Sequence, residues 1–186
     1  DVTGVQTCAL PIYLEEKGIN VTPTVFIEAG EKMTLESLYQ EHQFNETVLK
    51  PAISGGGRHT YKLNHSIIAE HEAIFQCLIE KESMMLQAFQ NNVLSKGEVA
   101  YMVFGGKFTH AVLKKAKKGE FRVQDDFGGS VELYHPSPKE IAFAENTVSK
   151  CEPMPVYARV DVIYDNNDQL SVTELELIEP RSDDVV

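Results

Sequence analysis

The 186-residue chain is 42% hydrophobic, 24% charged and 9% aromatic, the make-up of a globular protein long enough to bury its own core, which excludes a disordered or fibrous chain. Its 28 acidic and 17 basic residues leave a formal net charge of −11, which argues against a general nucleic-acid binder, and no stretch approaches the roughly 18 apolar residues of a membrane span. Cys8, Cys77 and Cys151 show no paired spacing, so a disulfide scaffold and a zinc site are disfavoured and a reducing compartment, by default the cytoplasm, is expected.

In chain order, residues 1–12 (DVTGVQTCALPI) come first. Residues 2–12 look like the conceptual translation of a sequencing-library adapter and make a poor signal peptide. The usable protein is therefore expected to span about residues 13–180, with 181–186 a suspect tail. In TLESLYQEHQF, Leu35, Leu38 and Tyr39 recur at helical spacing behind a Thr34 N-cap with Ser37 three residues on, which predicts a short helix. Residues 46–50 read as a strand stopped by Pro51, residues 54–58 (SGGGR) as a flexible loop, and 59–63 as a second strand. Apolar residues at helical intervals predict an amphipathic helix over 67–81, with His71 and Cys77 as ordinary helix residues.

Residues 84–89 form a short apolar run. Residues 97–104 and 107–114 predict a hairpin turned at Gly105-Gly106. Residues 114–119 (KKAKKG) read as a basic loop and 121–129 as an irregular charged segment. Ser137-Pro-Lys-Glu140 is a capping box with proline at the first helical position, opening a helix to about Lys150. Residues 156–164 and 169–177 form a long hairpin across the turn Asp165-Asn-Asn-Asp168.

Two constellations could carry chemistry. In the last hairpin, Arg159 and Asp161 share one strand face, as do Glu174 and Glu176 on the next strand. If the two faces coincide, three carboxylates without histidine or thiolate suit Mg²⁺; the other reading is a solvated sheet face with Leu175 and Leu177 turned to the core. The second constellation is Lys50 beside the triglycine turn, together with Lys114, Lys115, Lys117 and Lys118. Ammonium groups and loop N–H donors can surround phosphate oxygens, although no Gly-Lys-Ser/Thr follows and the stretch is not a P-loop. A plain turn and a solvated lysine face are the alternatives. Lysines, glycines and paired acids together are the complementary parts of a nucleotide and magnesium site. No HExxH helix, nucleophile elbow or Cys-His pairing supports zinc chemistry or covalent catalysis.

The order of these motifs resembles the ATP-grasp superfamily, in particular its prokaryotic glutathione synthetase ATP-binding type of carboxylate-amine ligases. The resemblance covers about residues 23–180. It rests on Val48-Leu-Lys-Pro51 with Ser54-Gly-Gly-Gly57, Gln87-Ala-Phe89 before Gly97-Glu98, the stretch from Phe104 to Lys114 with Phe121-Arg-Val-Gln124, and above all on Ala158-Arg-Val-Asp161 with Thr173-Glu-Leu-Glu176. It implies an α+β fold of two antiparallel-sheet subdomains, about 23–86 and 87–180, with ATP held between them and residues 13–22 a remnant of a preceding domain. It further implies that Lys50 contacts ATP phosphates under a loop of Ser54, Gly55, Gly56 and Gly57. Gln87, Ala88 and Phe89 would lie along adenine with Glu98 near the ribose. Lys114 and Arg122 would act on phosphates or substrate, Asp161, Glu174 and Glu176 would hold Mg²⁺ or Mn²⁺, and Arg159 would face the acyl intermediate.

The activity so implied is ATP-dependent joining of a small carboxylate to an amine through an acyl phosphate, by a chain that lacks most of its amino-terminal domain. A phosphotransferase and a non-catalytic nucleotide-binding module are the alternatives. No nucleic acid or membrane partner is expected, and a homo-oligomer is compatible with the sequence.

Overall fold

The computed structural model describes residues 13–53, 57–117, 120 and 128–177. The adapter-like head, Ser54, Gly55, Gly56, most of the segment expected to be irregular, with Arg122, and the suspect tail lie outside the described residues. After a helical turn at residues 13–16, the elements among the described residues are, in order, β1 (Thr24–Ile27), α1 (Leu35–His42), β2 (Glu46–Pro51), β3 (Tyr61–Asn64), α2 (Ile68–Ile79), β4 (Met84–Ala88), α3 (Val93–Lys96), β5 (Glu98–Phe104), β6 (Lys107–Lys115), β7 (Ser130–Tyr134), α4 (Pro138–Ser149), β8 (Tyr157–Tyr164) and β9 (Leu170–Glu176). They form two compact units, one of residues 23–89 and one that joins 13–22 to the chain after Phe89.

The smaller unit is a four-stranded antiparallel sheet in the order β1-β4-β2-β3. Helix α1 begins where expected, because the Thr34 hydroxyl accepts from the Ser37 N–H while the Ser37 hydroxyl returns to the Thr34 backbone, satisfying donors that a helix start leaves open. It stops at Gln43, whose φ of 53° is left-handed. Leu35, Leu38 and Tyr39 from α1 and Phe75, Leu78 and Ile79 from α2 bury against Leu49, Met84 and Leu86 of the sheet. The buried Tyr39 hydroxyl lies 2.7 Å from Thr47 Oγ1, which spares both groups an unpaired burial.

In the larger unit the order is β7-β6-β5-β8-β9, all neighbours antiparallel. Helix α4 opens on the capping box at Ser137, and its Ala144 and Val148 pack on Val99, Tyr101, Val103, Val160, Val162 and Leu175. The edge of β9 is closed by residues 20–22, where the Thr22 N–H donates to Val172 O at 3.0 Å and the Val172 N–H to Asn20 O at 2.9 Å. Leu14, Ile19 and Val21 belong to the same core, so residues 13–22 are an integral part of this unit's packing.

Three expectations change. Gln87 and Ala88 do not open the second subdomain, because β4 is an inner strand of the smaller sheet and pairs with both β1 and β2. The strand expected to end at Lys114 runs one residue further, so Lys115 is not in a loop; Lys114 is paired with Glu98 on one side and with Val131 on the other, and Lys115 with Ser130. Strands β1 and β7 and the single turn α3 had no counterpart in the sequence reading. The first is only four residues long, and in the second the alternating apolar residues Val131 and Leu133 are exposed, so its period-two pattern marks no buried face.

Candidate functional site

The face of the larger sheet turned away from α4 carries a charged constellation. Residues alternate across a pleated strand, so Val99, Tyr101 and Val103 of β5 face the core while Glu98, Ala100 and Met102 face the other way. On that side, Glu98 stands opposite Lys114, Ala100 opposite Asp161, Asp161 opposite Glu174 and Arg159 opposite Glu176. Six charged side chains from four strands are thereby set in one row.

The register of β8 and β9 depends on a bulge. Beside the turn, Tyr164 opposes Leu170 and Val162 opposes Val172; beyond it, Asp161 opposes Glu174. Thr173 is the extra residue. Had the ladder continued regularly, Asp161 would oppose Thr173 and Arg159 would oppose Leu175, putting both glutamates on the α4 side. The expected coincidence of the two faces is met, but through a bulge rather than the turn alone. The apolar spacing Leu170-x-Val172-x-x-Leu175-x-Leu177 was the readable sign, since a single break in period two marks an inserted residue.

The row is tightly connected. Arg159 Nε lies 3.0 Å from Asp161 Oδ2, Nη1 2.8 Å from Glu176 Oε2 and Nη2 3.9 Å from Glu174 Oε1. Lys114 Nζ lies 3.4 Å from Asp161 Oδ1 and 4.0 Å from Glu98 Oε1. Arg159 and Asp161 are 4% and 2% exposed, whereas the Glu174 and Glu176 side chains retain 41% and 30%. Burial pushes the Asp161 carboxyl up, but the ammonium of Lys114 and the guanidinium of Arg159 outweigh it and hold the group below its ordinary value. Burial works the other way on Lys114, and the carboxylates of Asp161 and Glu98 more than offset it, raising the lysine. Glu98 is raised by burial and then by the charge of Asp161.

Four carboxylates thus meet two cations, leaving excess negative charge on one surface. The donors are all oxygen, and the two that remain half-exposed can swing. That set fits a hard divalent cation, although among the described residues no three acidic, histidine or cysteine side chains are already gathered as a metal cage. Arg159 stands among the carboxylates instead.

Gly97 positions this row from below. Its φ is +78°, and a Cβ there would fall 2.5 Å from the backbone oxygen of Lys114. Gly97→Ala is expected to cost about 2 kcal/mol or more through left-handed strain and the clash, read as a lower urea midpoint. An unchanged midpoint would show that the β5–β6 contact is not tight.

In the smaller unit, Lys50 is on β2 opposite Met85, and Gln87 is on β4 opposite Val48. This face is turned away from α1 and α2, whose core takes Leu49 and Leu86. Gln87 Nε2 donates to Thr24 Oγ1 at 2.9 Å. The N–H groups of Ala88 and Phe89 donate to Pro23 O and Glu46 O, so these two donors are already committed within the sheet. Lys62, not singled out from the sequence, is opposite Val48; its ammonium lies 3.7 Å from the Phe89 ring centroid and 3.1 Å from Glu46. Gly57 has φ 69°, a conformation glycine adopts without strain.

The family described as prokaryotic glutathione synthetase, ATP-grasp domain, matches residues 16–180. The chain belongs to this family. No curated protein sequence matches it. Among solved structures, the ATP-grasp domain resembles the D-cycloserine synthetase DcsG at 21% identity and TM-score 0.82, covering 96% of this chain and 64% of that one. It resembles the ATP-grasp ligase PsnB complexed with minimal precursor at 14% identity and TM-score 0.67, with 96% and 54% covered. It also resembles the D-alanine–D-alanine ligase of Bacillus anthracis complexed with ATP at 13% identity and TM-score 0.66, with 94% and 53% covered. At these identities the likeness establishes the α+β ATP-grasp fold, and the chain spans less than two thirds of each of these relatives. Among the described residues no helix is long and apolar enough to cross a membrane.

Proposed function

We propose that this ATP-grasp domain serves an ATP- and Mg²⁺-dependent ligase that joins a small carboxylate to an amine through an acyl phosphate. The observation that carries the reading is the row in which Asp161, Glu174 and Glu176 stand directly across from Ala100, Asp161 and Arg159 with Lys114 alongside. The names of the structural relatives, two of them ligases and one a synthetase, support it.

Asp161, Glu174 and Glu176 would hold the metal, with Mn²⁺ suiting the same oxygen donors. When bound, Mg²⁺ offsets charge on the β- and γ-phosphates during phosphoryl transfer. Lys114, held by Asp161 and Glu98, presents an ammonium to a phosphate oxygen. Lys50 would do the same from the smaller unit, beneath Ser54, Gly55, Gly56 and Gly57. Gln87, Ala88 and Phe89 would run along adenine, although the N–H groups of Ala88 and Phe89 are already engaged within the sheet. Arg159 has Glu174 and Glu176 as partners as well as Asp161. If the glutamates turned to a cation, its guanidinium would be left to face the oxyanion formed when the amine attacks the acyl phosphate. Arg122 would act on phosphate or substrate. The reaction consumes a carboxylate, an amine and ATP and releases ADP and phosphate.

A ligand of the native state raises stability by mass action, by about 2.7 kcal/mol at a hundred times its dissociation constant. ATP with Mg²⁺ is therefore expected to raise the melting temperature by several degrees, and ATP with a chelator by clearly less. No shift under either condition would remove the reading. An amide product with released phosphate would mark a ligase, and a phosphorylated product the phosphotransferase alternative.

A further inference from the structure

Two bulges interrupt the larger sheet, and each inserts a threonine. Thr109 is the extra residue where β6 passes Met102 and Val103, and its hydroxyl donates to Met102 O at 3.1 Å. Thr173 is the extra residue in β9, and its hydroxyl lies 3.1 Å from Asp161 O. In both, the side chain reaches a carbonyl beside the point where the ladder is disrupted. Thr173 does one thing more: its hydroxyl is 2.9 Å from Glu98 Oε2. A hydroxyl has one proton to give, and a bond to a carboxylate is the stronger of the two choices.

Glu98 thereby becomes a link. Its Oε2 is engaged by Thr173, while Oε1 lies 4.0 Å from Lys114 Nζ, which is 3.4 Å from Asp161 Oδ1. Glu98 and Lys114 side chains are only 16% and 13% exposed, so little water competes for them. The extra residue is not needed for the pairs themselves: removing Thr173 from the chain leaves Val172 opposite Val162 and Glu174 opposite Asp161 in a regular ladder. What the insertion adds is the hydroxyl.

We infer that Thr173 is a positioning residue that orients Glu98, and through it the Lys114 ammonium, toward the phosphates of a bound nucleoside triphosphate. The inference rests on the proposed nucleotide site, and it assigns Glu98 to the support of Lys114 rather than to a ribose. Its signature is selective: affinity for a triphosphate falls while affinity for a ligand lacking the β- and γ-phosphates does not.

The test measures dissociation constants of the 186-residue chain for Mg²⁺ with AMP-PNP, and for AMP, by calorimetry. Thr173→Val, which keeps the β-branched shape and loses the hydroxyl, is expected to weaken AMP-PNP binding about 10-fold, the lower end of the effect of an outer support on a bound group. AMP binding stays unchanged. Thr173→Ser restores the triphosphate affinity, and deletion of Thr173 reproduces the valine variant, which keeps the comparison available if valine impairs folding. Thr109→Val loses the equivalent carbonyl bond and leaves both affinities unchanged. In a double-mutant cycle, Thr173→Val adds nothing once Glu98→Gln is present. Wild-type affinity in Thr173→Val, an equal loss in Thr109→Val, or a failure of serine to rescue would each overturn the assignment while leaving the nucleotide site in place. A wild-type chain that binds neither nucleotide would overturn both.

Discussion

Asp161→Asn is expected to reduce Mg²⁺-dependent nucleotide affinity by about 100-fold or more, because a proposed metal ligand is at least as costly to lose as the outer partners whose removal costs 10- to 100-fold. The same substitution acts on the fold. Asp161 is 2% exposed and touches Arg159 Nε at 3.0 Å and Lys114 Nζ at 3.4 Å. Asparagine keeps the shape and one acceptor oxygen but removes the charge, leaving two poorly hydrated cations with less compensation. A loss of about 2–3 kcal/mol is expected, below the full 3–5 kcal/mol of a broken buried pair because Glu176 and Glu174 still face Arg159.

The pH dependence follows from the sign. The folded-state value of Asp161 is depressed, so its stabilising contribution is complete above the unfolded carboxylate value and is lost as pH falls below about 4. The folded-state value of Lys114 is raised, so its contribution holds through neutrality and is lost only above its ordinary range. Urea titration at pH 7 and pH 3 should show the wild type converging on Asp161→Asn in acid. Nucleotide calorimetry on folded Asp161→Asn separates the metal effect from the stability effect. Wild-type affinity for nucleotide and Mg²⁺ in both Asp161→Asn and Glu174→Gln would sink the metal assignment.

The second large effect lies on the opposite face of the same sheet. Glu140 is 4% exposed and its carboxylate is saturated. Oε2 accepts from the Ser137 N–H and hydroxyl, both at 2.7 Å, and Oε1 accepts from the hydroxyls of Tyr134 at 2.8 Å, Tyr101 at 3.3 Å and Tyr164 at 3.5 Å. Burial pushes Glu140 up, yet the donors from Ser137, Tyr134 and Tyr101 outweigh it and hold the group below its usual value. Tyr134 is correspondingly pushed up to about 12, first by burial and then by its bond to Glu140.

Glu140→Gln turns one carboxylate oxygen into an amide donor facing other donors. A loss of about 2–4 kcal/mol is expected from leaving buried polar groups unpaired. Because the wild-type carboxyl is depressed, its advantage over glutamine should be full at pH 7 and shrink as pH falls below about 4.5. A urea midpoint within error of wild type at pH 7 would show that the phenols find other partners.

Glu140 also shows how far local sequence reaches. Ser137-Pro-Lys-Glu140 announces a capped helix from four adjacent residues, and the capping box is present. The convergence of three tyrosines on that glutamate is invisible locally, since they come from β5, β7 and β8 and meet it only when the sheet is assembled.

The same division runs through the candidate site. The starts of α1 and α4, the Gly105-Gly106 hairpin and the Arg-x-Asp and Glu-x-Glu pairs are determined by the sequence itself, because caps, turns and period-two alternation act between residues a few positions apart. The α+β class and the ATP-grasp resemblance could be stated from them. Tertiary structure decided the rest. Lys115 continues the strand because β7 pairs beside it, although its own neighbourhood is a run of lysines. Glu98 joins the charged row because Lys114 stands across from it. The two glutamates face Arg159 and Asp161 because the pairing of β9 with β8 takes up Thr173 as a bulge rather than as a paired residue. Each of these turns on which strand lies beside which, and long-range hydrogen bonding between chain segments sets that pairing, where no local pattern can record it.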